Sequence, residues 1–271
     1  MFNSHVHTCF SPDCSSSPEE LCDAAVKRNM IGICFTDHCS LDSYILDNAY
    51  RSILASSSAA KKMGEKYGED LVVLSGVELS EVMRKPDYAA RLLKNIKLDS
   101  VLLSVHTAII KNKPVYFSKI NFSAMDTNEI RSILKAYFRD MLDSVNKCDF
   151  DILAHLTHPF FFVNGEHKKN ISASEFYEDI EKIFSFIIKN NKALEINTSK
   201  LNSSFNDFMP DEELIRLYCQ MGGRLITLGS DAHSPETIDF GFDEAKALLK
   251  SIGFSTYSYF EKRKIRNISL Y

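Results

Sequence analysis

Short runs of apolar and β-branched residues recur along the chain, and most are separated by segments with helical periodicity. Seven such runs occupy residues 2–5, 31–36, 71–78, 100–106, 150–155, 193–197 and 224–229. Short apolar runs that alternate with helices are typical of strands buried in a parallel sheet. The pattern therefore predicts βα units, and seven of them favour a closed or nearly closed α/β barrel.

Helix-start signals support this alternation. Ser17-Pro18-Glu19-Glu20 is a capping box with proline at the first helical position, and it predicts a helix to about Asn29. Ser172 with Glu175, Pro210 with the acidic residues after it, and Ser234-Pro235 predict three further starts. Residues 42–67 and 126–147 also have helical patterns, without strong caps. We interpret the basic run around Lys262–Arg266 as a solvated helix face.

The least regular stretches are residues 84–97, 109–125 and 160–171. Loops that follow the strands of a parallel α/β barrel carry function, so we expect these stretches to form lid or substrate loops. The chain contains no internal repeat, low-complexity tract or linker. We therefore expect a single domain over residues 1–271.

Composition narrows the class of protein. The 271 residues suit one barrel, and with 45% hydrophobic residues the chain can bury a full core. The net charge of −4 disfavours non-specific nucleic-acid binding. The seven cysteines form no Cys-x-x-Cys pair, which disfavours a disulfide framework or a thiolate zinc site. No apolar run is long enough for a membrane span, and cleavage of a signal peptide would remove His5, so we expect a soluble cytoplasmic protein without membrane partners.

Histidines and carboxylates cluster at the predicted strand ends. Six of the eight histidines stand at or just after the carboxyl end of a predicted strand, and Asp37, Glu78 and Asp231 occupy the same ends. Because a barrel brings all its strand ends to one rim, these scattered residues are expected to converge.

Spacing points to metal binding. In His5-Val6-His7 and in Asp231-Ala232-His233, residues two apart lie on one side of an extended segment and can reach one ion. Five or six imidazoles with three or four carboxylates exceed what one tetrahedral zinc can use. We therefore expect two or three divalent metals, with Glu78 as the bridge. Nitrogen and oxygen ligands without a thiolate suit Zn, Fe or Mn.

The chain resembles the PHP (polymerase and histidinol phosphatase) superfamily, most of all its histidinol phosphatase branch. The stretches that carry the resemblance follow the family's order over residues 1 to about 240: His5-Val-His7-Thr8 with Ser11-Pro-Asp13, Thr36-Asp37-His38, Gly76-Val-Glu78, Ser104-Val-His106, Asp151-Ile-Leu-Ala-His155, Leu194-Glu195-Ile-Asn197-Thr198 and Gly229-Ser230-Asp231-Ala-His233. The resemblance implies a distorted (β/α)7 barrel with a trinuclear metal site.

The resemblance also implies a set of ligands for each metal. The first would take His5, His7, Glu78 and Asp231, the second Glu78, His106 and His155, and the third Asp13, His38 and His233. Asp37 matches a group that orients its neighbours, and Glu195 and Asn197 match no ligand position.

The chain departs from the family where phosphate would bind. After His155 it has Leu-Thr-His158-Pro, where the family usually has an Asp and then a basic residue, and Lys200 stands near the position of a family Arg. Lys200, or His158 together with Lys168 or Lys169, are the candidate replacements. A lysine would act as a point charge where arginine offers a fork.

The function indicated is a metal-dependent phosphomonoesterase for a small alcohol phosphate, with L-histidinol phosphate as the best single substrate. We expect hydroxide generated near Glu78 to attack phosphorus, with general acid help from a metal-bound water, Asp13, Asp37 or His158. A phosphodiesterase, nucleotide phosphatase or 3′-end-trimming exonuclease is the first alternative. A non-catalytic metal-binding module is the second, although no ligand is missing.

Overall fold

The computed structural model describes residues 1–41 and 46–271. The described strands are β1 (Phe2–Val6), β2 (Gly32–Phe35), β3 (His38–Ser40), β4 (Val72–Ser80), β5 (Ser100–Ser104), β6 (Thr107–Ile110), β7 (Lys113–Tyr116), β8 (Ile152–Leu153), β9 (Ala193–Asn197), β10 (Ile226–Gly229), β11 (Thr256–Glu261) and β12 (Lys264–Ser269). The described helices are α1 (Pro18–Lys27), α2 (Leu46–Tyr67), α3 (Pro86–Asn95), α4 (Thr127–Lys147), α5 (His158–Phe160), α6 (Tyr177–Lys189), α7 (Glu212–Gln220) and α8 (Phe242–Ile252). The predicted start of the second helix at residues 42–45 lies outside the described residues.

A mostly parallel sheet organises the fold. Nine strands follow the order β1-β2-β4-β5-β8-β9-β10-β11-β12, and β3 pairs with β4 beside this path. Neighbours from β1 to β11 pair in parallel, whereas β11 and β12 pair antiparallel. All seven predicted strands are present, as β1, β2, β4, β5, β8, β9 and β10. Most residues of these strands are buried, as expected of a parallel sheet covered on both faces.

The segment that follows β10 lies against the end of β1. The amide of His7 donates to the carbonyl oxygen of Ala232 at 2.9 Å, and the amide of Asp231 donates to that of His5 at 3.0 Å. Val6 and Ala232 form an isolated parallel bridge. The ends of the first and last predicted strands are therefore neighbours in space.

Local signals explain where the helices begin. Ser17 and Glu20 form the predicted capping box of α1, which ends at Lys27. The expectation that residues 126–147 lack a strong cap was wrong: Asp126 and Glu129 form a capping box at the start of α4. None of the helices in the described part of the chain combines the length and apolarity that crossing a membrane requires.

Four other expectations need correction. The irregular stretch at residues 84–97 contains α3, and residues 107–116 form the antiparallel hairpin of β6 and β7. The basic run at 262–266 is not helical: Lys262 and Arg263 adopt positive φ and reverse the chain after β11, and residues 264–266 begin β12. Ser234-Pro235 opens only a short 3-10 turn, and α8 begins after Gly241, whose φ of 71° breaks the helical path.

Candidate metal centre

The carboxyl ends of the parallel strands bring the predicted ligands together at one edge of the sheet. A cavity of about 670 Å³ opens there and is lined by Pro12, Asp13, His38, Ser40, His106, Tyr116, Ser118, His155, His158, Phe162, Lys200, Asp231 and His233. Lining residues come from the segments that follow β1, β5, β8, β9 and β10, so residues far apart in sequence share this cavity. The convergence expected from the strand-end positions is therefore present.

Glu78 lies at the centre of the cluster. Its side chain is fully buried on β4, and one oxygen, Oε1, lies 3.0 Å from His106 Nε2 and 2.7 Å from His155 Nε2. The other oxygen, Oε2, lies 2.6 Å from His38 Nδ1. Burial raises the pKa of this carboxyl, but His106 and His38 outweigh burial and hold the pKa well below its ordinary value. Glu78 is therefore a buried carboxylate with two oxygens available to cations.

The ring nitrogens of His5, on β1, and His7, just after β1, can be assigned from their other contacts. His5 Nδ1 lies 2.7 Å from the Glu195 carboxylate, which only accepts, so Nδ1 carries the hydrogen. His7 Nδ1 lies 3.0 Å from Ser11 Oγ, whose own hydrogen is donated to Asp37 at 2.8 Å. When both rings are neutral, each Nε2 atom keeps a lone pair, and the two Nε2 atoms face each other at 3.0 Å. Two acceptors in this position fit a cation between them.

Asp231 completes this first group. Its Oδ1 lies 3.1 Å from His7 Nε2 and 3.6 Å from His5 Nε2, and both nitrogens lie 3.7 Å from Glu78 Oε2. Ligands about 2.0–2.1 Å from a tetrahedral zinc are separated from one another by about 3.3 Å. Burial and the neighbouring His38 lower the pKa of His7 to about 3, which keeps its imidazole in the neutral form that binds metals.

The other predicted ligands form two adjoining groups. His106 and His155 face each other with their Nε2 atoms 3.4 Å apart, beside Glu78 Oε1. Asp13 bridges the remaining two histidines, at 3.3 Å from His38 Nε2 and 3.4 Å from His233 Nε2. Donor atoms of His7, His38 and His233 also lie within 4.8 Å of one another, so the groups are continuous.

Buried carboxylates behind the ligands fix their orientation. Glu195 holds the His5 ring and also accepts the backbone amide of His155 at 2.8 Å. Asp37 accepts from Thr8, Ser11 and Ser56 and does not line the cavity. Such partners set the ring position and tautomer of metal ligands. Asp37 thus lies behind the ligands and not on the cavity wall.

The candidate phosphate-binding residues fall in different places. Lys200 and His158 line the cavity. The Lys200 ammonium lies 4.5 Å from the centre of the Phe161 ring, and His158 packs 5.0 Å from the His155 ring. Lys168 is exposed, donates to the carbonyl oxygen of Ser204 at 2.9 Å and does not line the cavity. The geometry therefore retains Lys200 and His158 and separates Lys168 from the site.

One residue at the site, Glu81, was not predicted from the sequence. Glu81 follows β4 directly, is buried, and accepts the backbone amide of His106 at 2.6 Å. A second acidic residue three positions after Glu78, just beyond a strand end, was the signal available.

Comparison with known proteins identifies the family. The model of the PHP domain matches residues 3–199. The chain belongs to the PHP domain family. Among PHP relatives, a "Probable histidinol-phosphatase" of Clostridium acetobutylicum is 27% identical over 98% of this chain and 99% of its own length. A protein of the same name from Thermotoga maritima is 27% identical over the full length of both chains.

Solved structures support the same fold. The crystal structure of histidinol phosphate phosphatase from Lactococcus lactis, complexed with zinc, L-histidinol and phosphate, superposes with a TM-score of 0.78. The two proteins share 23% identity over 98% of each chain. At this identity the similarity establishes a common PHP fold.

Proposed function

We propose that this protein is a metal-dependent phosphomonoesterase that hydrolyses L-histidinol phosphate to L-histidinol and phosphate. The observation that carries the proposal is the buried Glu78 carboxylate, which contacts three imidazoles at the centre of nine converging ligands. The full-length similarity to relatives named histidinol-phosphatase supports this substrate.

Nine side chains would hold two or three ions of Zn, Fe or Mn. His5, His7, Asp231 and Glu78 would form the first site, Glu78, His106 and His155 the second, and Asp13, His38 and His233 the third. When bound, such ions lower the pKa of water and neutralise charge on phosphoryl oxygens. The facing nitrogen lone pairs of His5 and His7 are the feature of this chain that fits them.

The chain's own groups would bind and orient the ester. The Lys200 ammonium lies in the cavity wall and supplies a positive charge to the phosphoryl group. Asp13 is half-exposed at the cavity. Partial burial raises the pKa of its carboxyl, but its hydrogen bonds with His233 and His38 hold that pKa well below the ordinary value, so it would act there as a carboxylate that binds a cation or accepts a hydrogen bond. His158 stands in the wall as a neutral imidazole, because burial and its neighbour His155 hold its pKa well below the ordinary value.

We infer that the parallel strands close into a (β/α)7 barrel and that residues 1–271 form one domain. Closure is supported by the Val6–Ala232 bridge, which pairs the end of β1 with the segment after β10. A closed barrel leaves all strand ends on one rim, which is where these ligands are needed.

Hydrolysis of a panel of esters tests the function, measured as phosphate release for the monoesters, nitrophenol release for the diester and nucleotide release for the oligonucleotide. The protein would be assayed with added Zn²⁺, Mn²⁺ or Fe²⁺ on L-histidinol phosphate, other alcohol phosphates, a nitrophenyl phosphodiester and an oligonucleotide. We expect L-histidinol phosphate to have the highest kcat/KM. A preference for the diester or for the oligonucleotide 3′ end would replace the proposal with the phosphodiesterase alternative. Metal binding without turnover of any ester would indicate a non-catalytic module.

A further inference from the structure

Glu81 stands where three strands end, and nothing in the sequence pattern assigned it a role. It follows β4 directly, is 2% exposed and has a left-handed backbone with φ 57°. A residue other than glycine seldom adopts this conformation, so the surrounding contacts must maintain it.

The Glu81 carboxylate joins the ends of β3 and β5 to the end of β4. Its Oε1 accepts the amide of His106 at 2.6 Å, and the amide and hydroxyl of Thr107 at 3.1 and 3.3 Å. Its Oε2 accepts the hydroxyl of Ser40 at 3.1 Å. All four partners are donors, as a buried carboxylate requires.

Each of these strand ends carries a proposed metal ligand. His106 is held through its own amide, His38 lies two residues before Ser40 on β3, and Glu78 lies three residues before Glu81 on β4. β3 and β4 pair with His38 opposite Glu78. A shift of the Glu81 carboxylate would therefore change the separation of His106 from both other ligands.

The same carboxylate also reaches the cavity wall. The hydroxyl of Tyr116 donates to Ser40 Oγ at 3.5 Å, and Ser40 in turn donates to Glu81. Ser40 and Tyr116 both line the cavity. The contacts of Glu81 thus extend from the ligand cluster to the wall on the side of the β6–β7 hairpin.

We propose that Glu81 is a positioning residue for the metal centre, which sets the spacing of His106, His38 and Glu78 through hydrogen bonds and touches neither metal nor substrate. This inference rests on the proposed function, because it assigns these three residues as ligands. Orienting partners of metal ligands typically change metal affinity or activity by about 10–100-fold when removed.

Substitution of Glu81 by glycine tests whether its carboxylate positions the metal ligands or only stabilises the local backbone. Glu81→Gly removes the carboxylate, relieves the left-handed conformation and leaves four donors without their acceptor, so a purely structural role predicts a less stable protein whose folded state binds zinc normally. We expect instead that zinc affinity falls about 10–100-fold under conditions in which the metal-free variant and the metal-free wild type are both folded. Zn²⁺ titration of metal-depleted protein against a chromophoric chelator measures the affinity. Asn191→Gly is the matched control, because Asn191 is exposed with φ 52° and lies in the turn between α6 and β9.

Two further variants test whether the position of the hydrogen-bond acceptor at residue 81 determines zinc affinity. Glu81→Gln keeps the length and the oxygen that receives three hydrogen bonds, and Ser40 can accept from its amide, so zinc affinity should stay within a few-fold of wild type. Glu81→Asp keeps the charge on a shorter side chain and should lose affinity. These two variants also decide the question if Glu81→Gly does not fold.

The outcomes distinguish this inference from the proposed function. If wild type and Glu81→Gly bind zinc equally well, the role of Glu81 is overturned and the proposed function stands. If Glu81→Gln binds zinc more weakly than Glu81→Asp, the charge of Glu81 and not its hydrogen-bond geometry acts on the ligands, and the inference fails. A wild-type protein that binds none of Zn²⁺, Mn²⁺ and Fe²⁺ overturns both.

Discussion

At the scale of single residues, the chemistry of the site depends on how buried charge is shared. Glu78 is fully buried and lies within 2.6–3.0 Å of nitrogens from His38, His106 and His155. A buried carboxylate without compensating charge is costly, so cations at its two oxygens would stabilise it. The facing Nε2 atoms of His5 and His7 likewise favour a cation between them when both rings are neutral.

We expect Glu78→Gln to abolish turnover with the fold intact. The amide has nearly the same shape, but it removes the negative charge shared between two proposed metal sites. Loss of an orienting partner costs about 10–100-fold, and loss of a direct ligand should exceed that. Steady-state kinetics at saturating metal, with circular dichroism as the check on folding, measure the effect. Glu69→Gln on the surface is the control, and a near-normal kcat for Glu78→Gln would contradict the bridging role.

Lys200 is the residue that we expect to anchor phosphate. A lost charge-assisted hydrogen bond is worth about 1.5–3 kcal/mol, which predicts a fall in kcat/KM of roughly 10–150-fold for Lys200→Ala. Metal content should not change. Lys168→Ala is the matched control, because Lys168 is exposed and does not line the cavity. Normal kinetics for Lys200→Ala would mean that phosphate is held by the metals and other groups alone.

At the scale of elements, the sequence predicted the seven parallel strands of the sheet and missed the two hairpins. The seven parallel strands carry uninterrupted apolar runs because both sheet faces are covered, and their ends located the ligands. The β6–β7 hairpin has two strands of four residues each, too short to stand out from an irregular stretch. The charges of β12 matched a helix surface equally well. Glu81 escaped notice because a left-handed backbone at a residue other than glycine depends on tertiary contacts.

Helix α4 offers a test of element stability that leaves the site untouched. Asp126 accepts from the amides of Asn128 and Glu129, and it closes a capping box at the start of a 21-residue helix. Replacing such a cap by alanine typically costs about 0.5–2 kcal/mol. We expect Asp126→Ala to lower the free energy of unfolding in urea by this amount without changing kcat. Asp143→Ala, later in the same helix, removes an acidic side chain without a cap, and an equal loss there would refute the capping explanation.

At the scale of the whole molecule, the metal centre joins segments from both ends of the chain. His5 and His7 lie near the amino terminus and Asp231 and His233 near the carboxyl terminus, and backbone hydrogen bonds pair the two segments. A ligand that binds only the folded state stabilises it by an amount set by its concentration relative to its Kd. Bound metals should therefore stabilise the global fold as well as the site.

We expect metal removal to lower the unfolding midpoint of the whole chain. At a free metal concentration one hundred times Kd, each independent site contributes about 2.7 kcal/mol. Two or three sites then contribute roughly 5–8 kcal/mol, which corresponds to a shift on the order of 10–30 °C at about 2–4 °C per kcal/mol. Calorimetry before and after chelation measures this shift, and re-addition of Zn²⁺ should restore the midpoint. Elemental analysis of protein never exposed to chelator should give two to three metals per chain. A reproducible value of one metal or less per chain would rule out a multinuclear centre. A midpoint that stays unchanged after the metals have been removed would also contradict it, because donor groups from both ends of the chain would then be held together without metal.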